Sequence, residues 1–411
     1  MSQNTNQYRN TLCSQIDTSI EGKTIIIAGW ITTLRDHGGV LFWNVRDHTG
    51  EVQCVLYADK VELYKHVRIE SVVSITGEVC LRPKDAINQN LSSGVVEIKI
   101  SDVTILSLAK VLPFMLDENV NEQLQLEYRY LYLRRTNMQK MLKLRHDVIA
   151  FLRKEMHALG FIEIQTPLLT ASSPEGARDY LVPSRLHTGK FYALPQAPQI
   201  FKQLLMAGGV HRYYQVAPCF RDEDARADRA LGAFYQLDFE MAFVEQEDIL
   251  QVLEQVLYNT FSRFSTYEII KPFVRIKYLD AIELYGTDKP DLRIEMKYED
   301  CTKFFTSNPP KIFESIIKNG DKIYCLSVPK LHQQSRSFFD KMQTFAQNYG
   351  LKGLGYILLK DAHGSNKISG PMAKIIPHNL LERFIDHDGI IFVGGYDTAT
   401  ARNAIRVKLA Q

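Results

Sequence analysis

Short apolar segments alternate with polar turns through the first hundred residues. KTIIIAGWI (23–31), VLFWNVRD (40–47), EVQCVLYA (51–58), SVVSITGEVCL (71–81) and GVVEIKISDVTIL (94–106) are rich in β-branched and aromatic residues. The turns LRDHGG, HTG and PKDAINQNLSSG separate them. Five strands in this span predict a small barrel of the OB type, with a generic β-sandwich as the alternative. Residues 106–125 have no clean period and contain Pro113, as a linker would. The spacing then predicts a helix over 137–159, from Met138, Leu142, Ile149, Leu152, Met156 and Leu159, with Gly160 to end it. FIEIQTPLL reads as a strand that closes on Pro167. Short and long helices are expected over 198–207 and 246–264, with β-rich RYYQVAPCF and FYQLDFEMAF between them. From about 296 the pattern turns to mixed helix and strand, an α+β module entered after the turn YGTDKPDLR.

The 411 residues are 45% hydrophobic and 23% charged, which excludes a mainly disordered chain, and Gly and Pro show no collagen-like period. A net charge of +2 does not announce a nucleic-acid binder, so any such surface must be local. One candidate is 126–154, where eight Lys/Arg face two acids; a solvated helix face is the plainer reading. Cysteines 13, 54, 80, 219, 301 and 325 form no Cys-x-x-Cys clip. That argues against a zinc ribbon or a disulfide framework and fits a reducing cytoplasm. No apolar run suits a membrane span, and the polar start lacks the layout of a secretory or transit signal.

The most informative stretch is 212–243. Period two places Phe234, Gln236, Asp238 and Glu240 on one face of a strand and Tyr235, Leu237, Phe239 and Met241 on the other. An aromatic, an amide and two carboxylates on one face suit a surface that binds something. Arg221 closes the preceding strand and opens RDEDARADR, beside the acids Asp222 and Glu223. A charged hairpin loop is the plain interpretation. A guanidinium opposite an aromatic also suits a nucleotide, pairing a phosphate while the ring stacks on the base.

These segments resemble the class II aminoacyl-tRNA synthetases. GFIEIQTPLL looks like their motif 1, and CFRDEDARADR with FYQLDFEM like motif 2. SPEGARDYLVPSR and FYALPQAPQIFKQLLMAGG are close to the bacterial-type aspartyl-tRNA synthetases. The resemblance implies an α+β multidomain protein: an OB-fold anticodon-binding domain over 1–105, a linker over 106–125, a class II catalytic core of antiparallel sheet over 126–295, and an α+β insertion domain over 296–411. It implies ligation of aspartate to tRNA through aspartyl-adenylate, with ATP and Mg²⁺, in a cytoplasmic homodimer. Residue by residue, Glu175 matches the group that holds the substrate ammonium, and Gln199 and Lys202 match aspartate contacts. Arg221 matches the catalytic motif 2 arginine on the α-phosphate and the substrate carboxylate. Asp222 and Glu223 fall on the ATP side, Phe234 matches the ring that stacks on adenine, Asp238 faces the amino acid, and Glu240 matches a Mg²⁺ ligand. On the barrel, Arg35, His37, Phe42 and Gln53 match anticodon contacts. On pattern alone, Phe42 reads as barrel core. His37 resembles the residue of relatives that accept both tRNA(Asp) and tRNA(Asn).

The match also has departures. Motif 3, a Gly-rich strand–helix with an arginine for the ATP γ-phosphate, has no counterpart in these residues. The expectation is a chain truncated before motif 3 that alone forms adenylate near background; the alternatives are a non-catalytic tRNA-binding protein and one half of a split enzyme. Tyr132, Val55, Ala197, Ala230, Leu231 and Ala233 also depart from the family's usual residues.

Overall fold

The computed structural model describes residues 6–57, 61–173, 175–223, 232–307, 309–361 and 363–411. They divide into two compact units, Met1–Glu240 and Met241–Gln411.

In the first unit, β1 (Thr24–Asp36), β2 (Leu41–Arg46), β3 (Glu51–Leu56), β4 (Val72–Leu81) and β5 (Val96–Ser107) close into a barrel in the order β1-β2-β3-β5-β4. Alternation decides what fills it: Ile25, Ile27 and Ile31 of β1 are buried while Thr24, Ile26 and Trp30 are not. Trp43, fully buried, joins Val45, Val73, Ile75 and Ile98 in the core. Phe42 stands one residue out of that phase and is half-buried on the outer face, which corrects the pattern-only reading of it as core. Gly29 lets β1 cross β2 closely, since a Cβ there would lie 2.3 Å from the Arg46 carbonyl oxygen.

After β5 the chain runs without helix or strand to the short helix Glu122–Glu127. Phe114 is buried, and the Arg135 guanidinium donates to the Glu118 carbonyl at 2.9 Å. The barrel is tied to the following segment through Glu70, whose side chain is only 1% exposed. Its carboxylate is shared by Arg46 of β2 (3.2 Å) and Arg134 (2.8 Å). Arg134 also lies over the Trp30 ring at 5.4 Å.

Helix Thr136–Ala158 matches its expected span, and Gly160 follows with φ +78°. Of the residues that set its period, only Met156 is buried; Leu142 and its neighbour Met141 are 48% and 58% exposed. The expected strand FIEIQTPLL is shorter than its composition suggests. Only β6 (Ile162–Glu163) pairs, parallel to Tyr213 and Tyr214 of β9 (Arg212–Phe220). Thr166 takes the Gln215 side chain as partner for its N–H and hydroxyl instead of a strand ladder, and Pro167 has no N–H to offer. The ribbon β7 (Leu181–Pro183) and β8 (Phe191–Ala193), helix Gln199–Ala207, β9 (Arg212–Phe220) and β10 (Ala233–Met241) complete the unit, with β9 between β10 and β6.

The second unit carries helices Gln246–Phe264 and Tyr278–Tyr285, then a sheet in the order β11-β12-β15-β13-β14. Its strands are β11 (Tyr298–Asp300), β12 (Lys322–Ser327), β13 (Gly355–Lys360), β14 (Asn366–Ser369) and β15 (Gly389–Gly395). One core, with Tyr298, Leu326, Phe339, Ile391 and Ile405, includes residues of helices Arg336–Asn348 and Ala399–Ala410. Another, with Phe305, Ile323, Leu359 and Phe392, includes Phe313 of helix Lys311–Lys318. Arg406 is fully buried and donates to the carbonyls of Met296 (2.7 Å), Asp291 (2.8 Å) and Ile294 (2.5 Å). One side chain thus anchors the end of the YGTDKPDLR turn.

Cys301 and Cys325 are joined as a disulfide across the β11–β12 pair. This corrects the reading of the cysteines as unpaired. The 24-residue separation hides the pair from any short-spacing test, and only strand pairing brings the two sulfurs together. Cys13, Cys54, Cys80 and Cys219 are free.

Candidate active site

Strand β10 shows the expected two faces. On one, Arg145 lies over Tyr235 at 4.6 Å and Phe239 packs edge-to-face on Phe161 at 5.7 Å. The other face gathers the polar set. Arg221 sits over the Phe234 ring at 5.0 Å, and the Cys219 thiol donates to Gln236 at 3.3 Å. Lys202, one turn into helix Gln199–Ala207, reaches Asp238 at 2.8 Å and Glu240 at 3.2 Å. Lys202 and Asp238 are each 12% exposed. Burial alone would lower the Lys202 pKa, but the hydrogen bonds and charges of Asp238 and Glu240 raise it overall, so the cation persists through neutral pH. Burial pushes the Cys219 thiol up to about 11, so it is a neutral packing group and not a nucleophile.

Glu175 belongs to the same site. Burial raises its carboxyl pKa above the ordinary value, while the charges of Arg221 and Lys202 pull it down. Its Oε1 and the Oδ2 of Asp238 are buried with no hydrogen-bond donor. Two acceptors left open beside cations fit a ligand that brings its own N–H groups, since such atoms are costly unless paired. Gln199 opens the helix and is half-buried, and Ala197 precedes it by two residues.

The loop before β7 is held to the site by Gln196, which sequence reading passed over. Gln196 is 1% exposed. Its Oε1 accepts from the Ala177 N–H at 3.1 Å, and its Nε2 donates to the Ala177 carbonyl at 2.9 Å and to Asp179. A glutamine between two prolines in PQAPQ carries no signal for this without the fold. Arg178 and Asp222 exchange two bonds, both at 2.9 Å, and Asp222 and Glu223 are exposed. Ala230 and Leu231 lie outside the described residues. At the return to β10, a Cβ on Gly232 would lie 2.3 Å from the Tyr180 hydroxyl and 2.9 Å from the Arg221 carbonyl oxygen, so a side chain there would have to push Tyr180 aside.

The barrel residues form a second group. Arg35 donates to Gln53 at 3.1 Å, Gln53 donates to Glu97 at 2.8 Å, and His37 packs edge-to-face on Phe42 at 5.5 Å. Phe42 pairs with Arg35 across β1–β2 and with Val55 across β2–β3. Gln53 is 7% exposed while Arg35 and His37 are exposed. An aromatic ring and bonding groups thus share one patch of the barrel's outside.

Among the described residues there is no group of three or more His, Cys, Asp or Glu that could hold a metal. Glu240 is a single carboxylate, already touched by Lys202. Magnesium commonly takes one or two carboxylates and completes its shell with substrate phosphates and water, so Glu240 fits that mode and no all-protein site.

A motif 2 hairpin with its arginine over the aromatic of the return strand, next to an OB barrel, defines a class II synthetase. Residues 121–375 match the family described as tRNA synthetases class II (D, K and N), and residues 25–106 match the OB-fold nucleic acid binding domain. The chain belongs to the class II tRNA synthetase family of the D, K and N type. It is 44% identical over 409 residues to an aspartate–tRNA(Asp/Asn) ligase of Zymomonas mobilis, covering 97% of this chain and 68% of the relative. It is 47% identical over 383 residues to the ligase of the same name in Ehrlichia canis, covering 92% of this chain and 64% of the relative. The chain thus spans about two thirds of the length of these relatives. Among solved structures, the Entamoeba histolytica asparaginyl-tRNA synthetase with asparaginyl-adenylate has the same fold (TM-score 0.60, 16% identity, 98% of each chain). So does an aspartyl-tRNA synthetase from the same organism (TM-score 0.56, 18% identity, 100% of this chain and 94% of the other).

Proposed function

We propose that the chain serves the ATP-dependent ligation of aspartate to tRNA, accepting both tRNA(Asp) and tRNA(Asn). The observation that carries this is the Lys202 cation beside two open buried acceptors, on Glu175 and Asp238, with Arg221 stacked on Phe234 and its charge acting on Glu175. Such a site suits a zwitterion with an extra carboxylate. Lys202, with Gln199, takes the side-chain carboxylate, and Glu175 takes the ammonium, with Asp238 facing the amino acid. Phe234 stacks on adenine, with Asp222 and Glu223 on the same side. The substrate carboxylate oxygen attacks the α-phosphorus, a P–O bond forms, and pyrophosphate leaves with the electron pair of the bond that breaks. Arg221 neutralises charge that grows on the phosphoryl oxygens in the transition state, where a fixed donor is worth most. Mg²⁺, near Glu240, would supply further charge neutralisation to the phosphates.

Motif 3 is not among the 411 residues, so ligand binding tests the described site most directly. A non-hydrolysable aspartyl-sulfamoyl adenosine is expected to bind, and its asparaginyl counterpart to bind more weakly. Arg221→Ala is expected to cost about 1.5–3 kcal/mol of that affinity, as for a hydrogen bond to a charged group. Equal binding of both analogues would refute the aspartate assignment.

Glu175 gives this binding a pH dependence. It must be ionised to hold an ammonium, and its raised pKa means that ionisation is lost at a higher pH than for an ordinary Glu. Affinity is therefore expected to fall as the solution becomes mildly acidic, and Glu175→Gln is expected to flatten that fall. For stability the sign is opposite. A raised folded pKa stabilises below the unfolded value, and the contribution is lost as pH rises through the folded one.

On the barrel, exposed His37 beside Phe42 supports relaxed reading of the anticodon, because an imidazole both donates and accepts and can stack. His37→Leu is expected to lower affinity for tRNA(Asn) relative to tRNA(Asp), measured by filter binding at fixed salt; an unchanged ratio removes His37 from the assignment. The exposed Met141, Leu142 and Leu144 on helix Thr136–Ala158 support a homodimer through that helix. The proposed location is the cytoplasm, on the family resemblance and not on the cysteines, since Cys301 and Cys325 are paired; no described helix is long and apolar enough to cross a membrane.

A further inference from the structure

We infer that Gln196 is a positioning residue that fixes Ser172, Ala177 and Asp179 on either side of Glu175 at the amino-acid side of the site, so that Glu175 stands within reach of Arg221 and Lys202. The inference rests on the aspartate-site reading above. A fully buried carboxamide is costly unless its polar atoms are paired. Gln196 pairs with both the N–H and the C=O of Ala177, as a neighbouring strand would, and its second N–H goes to the Asp179 carboxylate. The other Asp179 oxygen accepts from the Ser172 hydroxyl. Residues 172, 177 and 179 are thus bound to one buried group, directly or through a single carboxylate, and Glu175 lies between them. The Glu175 Oε1 has no donor in the described structure, so no hydrogen bond fixes the side chain at that oxygen. Gln196 is also three residues before Gln199 and six before Lys202, so loop and helix share one fixed point.

Hydrogen-bond chemistry supplies a test that packing alone would not move. Gln196→Glu keeps shape but at neutral pH sets a carboxylate against the Ala177 carbonyl and the Asp179 carboxylate. Once protonated it donates again. In Gln196→Glu, affinity for aspartyl-sulfamoyl adenosine is expected to drop roughly ten- to hundredfold near neutral pH. It should recover towards the parent value as pH is lowered, the reverse of the parent's own trend. Amide hydrogen exchange is the second arm and needs no ligand. In Gln196→Ala the Ala177 amide should exchange about tenfold faster or more, while the amides of Tyr213 and Tyr214 in β9 keep their protection and report that the sheet is folded. Unchanged exchange at Ala177, or a Gln196→Glu pH profile that parallels the parent, would overturn the inference. If the parent protein binds no analogue, the aspartate-site reading falls, and the exchange at Ala177 alone decides whether Gln196 holds the loop.

Discussion

Lys202→Met is expected to abolish measurable binding of aspartyl-sulfamoyl adenosine and to destabilise the first unit by about 3 kcal/mol, the low end of what breaking a buried pair costs. The ammonium lies between Asp238 and Glu240, at 2.8 and 3.2 Å, with little solvent near Lys202 or Asp238. Without it, two carboxylates remain together in a site that must then admit a third from the substrate. The variant should regain stability as pH falls and one of the two unpaired carboxylates takes up a proton, so its urea midpoint should rise into the acid range more steeply than the parent's, which carries only the Glu175 contribution. Lys202→Met combined with Asp238→Asn should recover much of the stability and none of the affinity. A double variant that binds the analogue would show that Lys202 is not the substrate's cation.

Arg406→Met is expected to cost the second unit about 3–5 kcal/mol. Three carbonyls, of Asp291, Ile294 and Met296, lose their donor inside a buried site, and the Tyr285 ring loses the guanidinium that lies over it at 4.7 Å. Arg406→Lys should recover less than half, because one ammonium cannot span three carbonyls as a planar fork does. Urea unfolding followed through tyrosine fluorescence, compared with Arg293→Met at an exposed ion pair, measures the difference. Equal midpoints for the two variants would mean that the turn is held by its own geometry.

Alternation was the dependable signal in the sequence. It located the barrel strands, the two faces of β10 and the pairing of Arg221 with Phe234, because a half-buried strand leaves a period-two trace that needs no partner to read. It failed at FIEIQTPLL, where composition favours a strand but the backbone partner is a side chain, Gln215. It also failed at Phe42, since a run such as LFWNV has apolar residues in both phases and only the barrel shows that Trp43 points in. The helix Thr136–Ala158 kept its period while only Met156 of its apolar positions is buried and the others are half-buried or exposed, so periodicity gave the element and not its burial. Contacts of long sequence separation left no trace in periodicity or spacing: Cys301 with Cys325, the anchoring of the YGTDKPDLR turn by Arg406, and the Lys202–Asp238 pair, whose two members only the family resemblance brought to one site. Each depends on which elements the fold brings together.

The carboxylate of Glu70 bears on how the barrel can move. Arg46 belongs to the strand that carries Phe42, and Arg134 stands two residues before helix Thr136–Ala158. Swinging the barrel away from that helix would strip one guanidinium from an anion that water hardly reaches. The barrel is therefore held to the base of that helix by a buried carboxylate and not by the linker alone. If the Phe42 face of the barrel meets RNA as proposed, a displacement there would reach the base of the helix that leads into the sheet through Glu70.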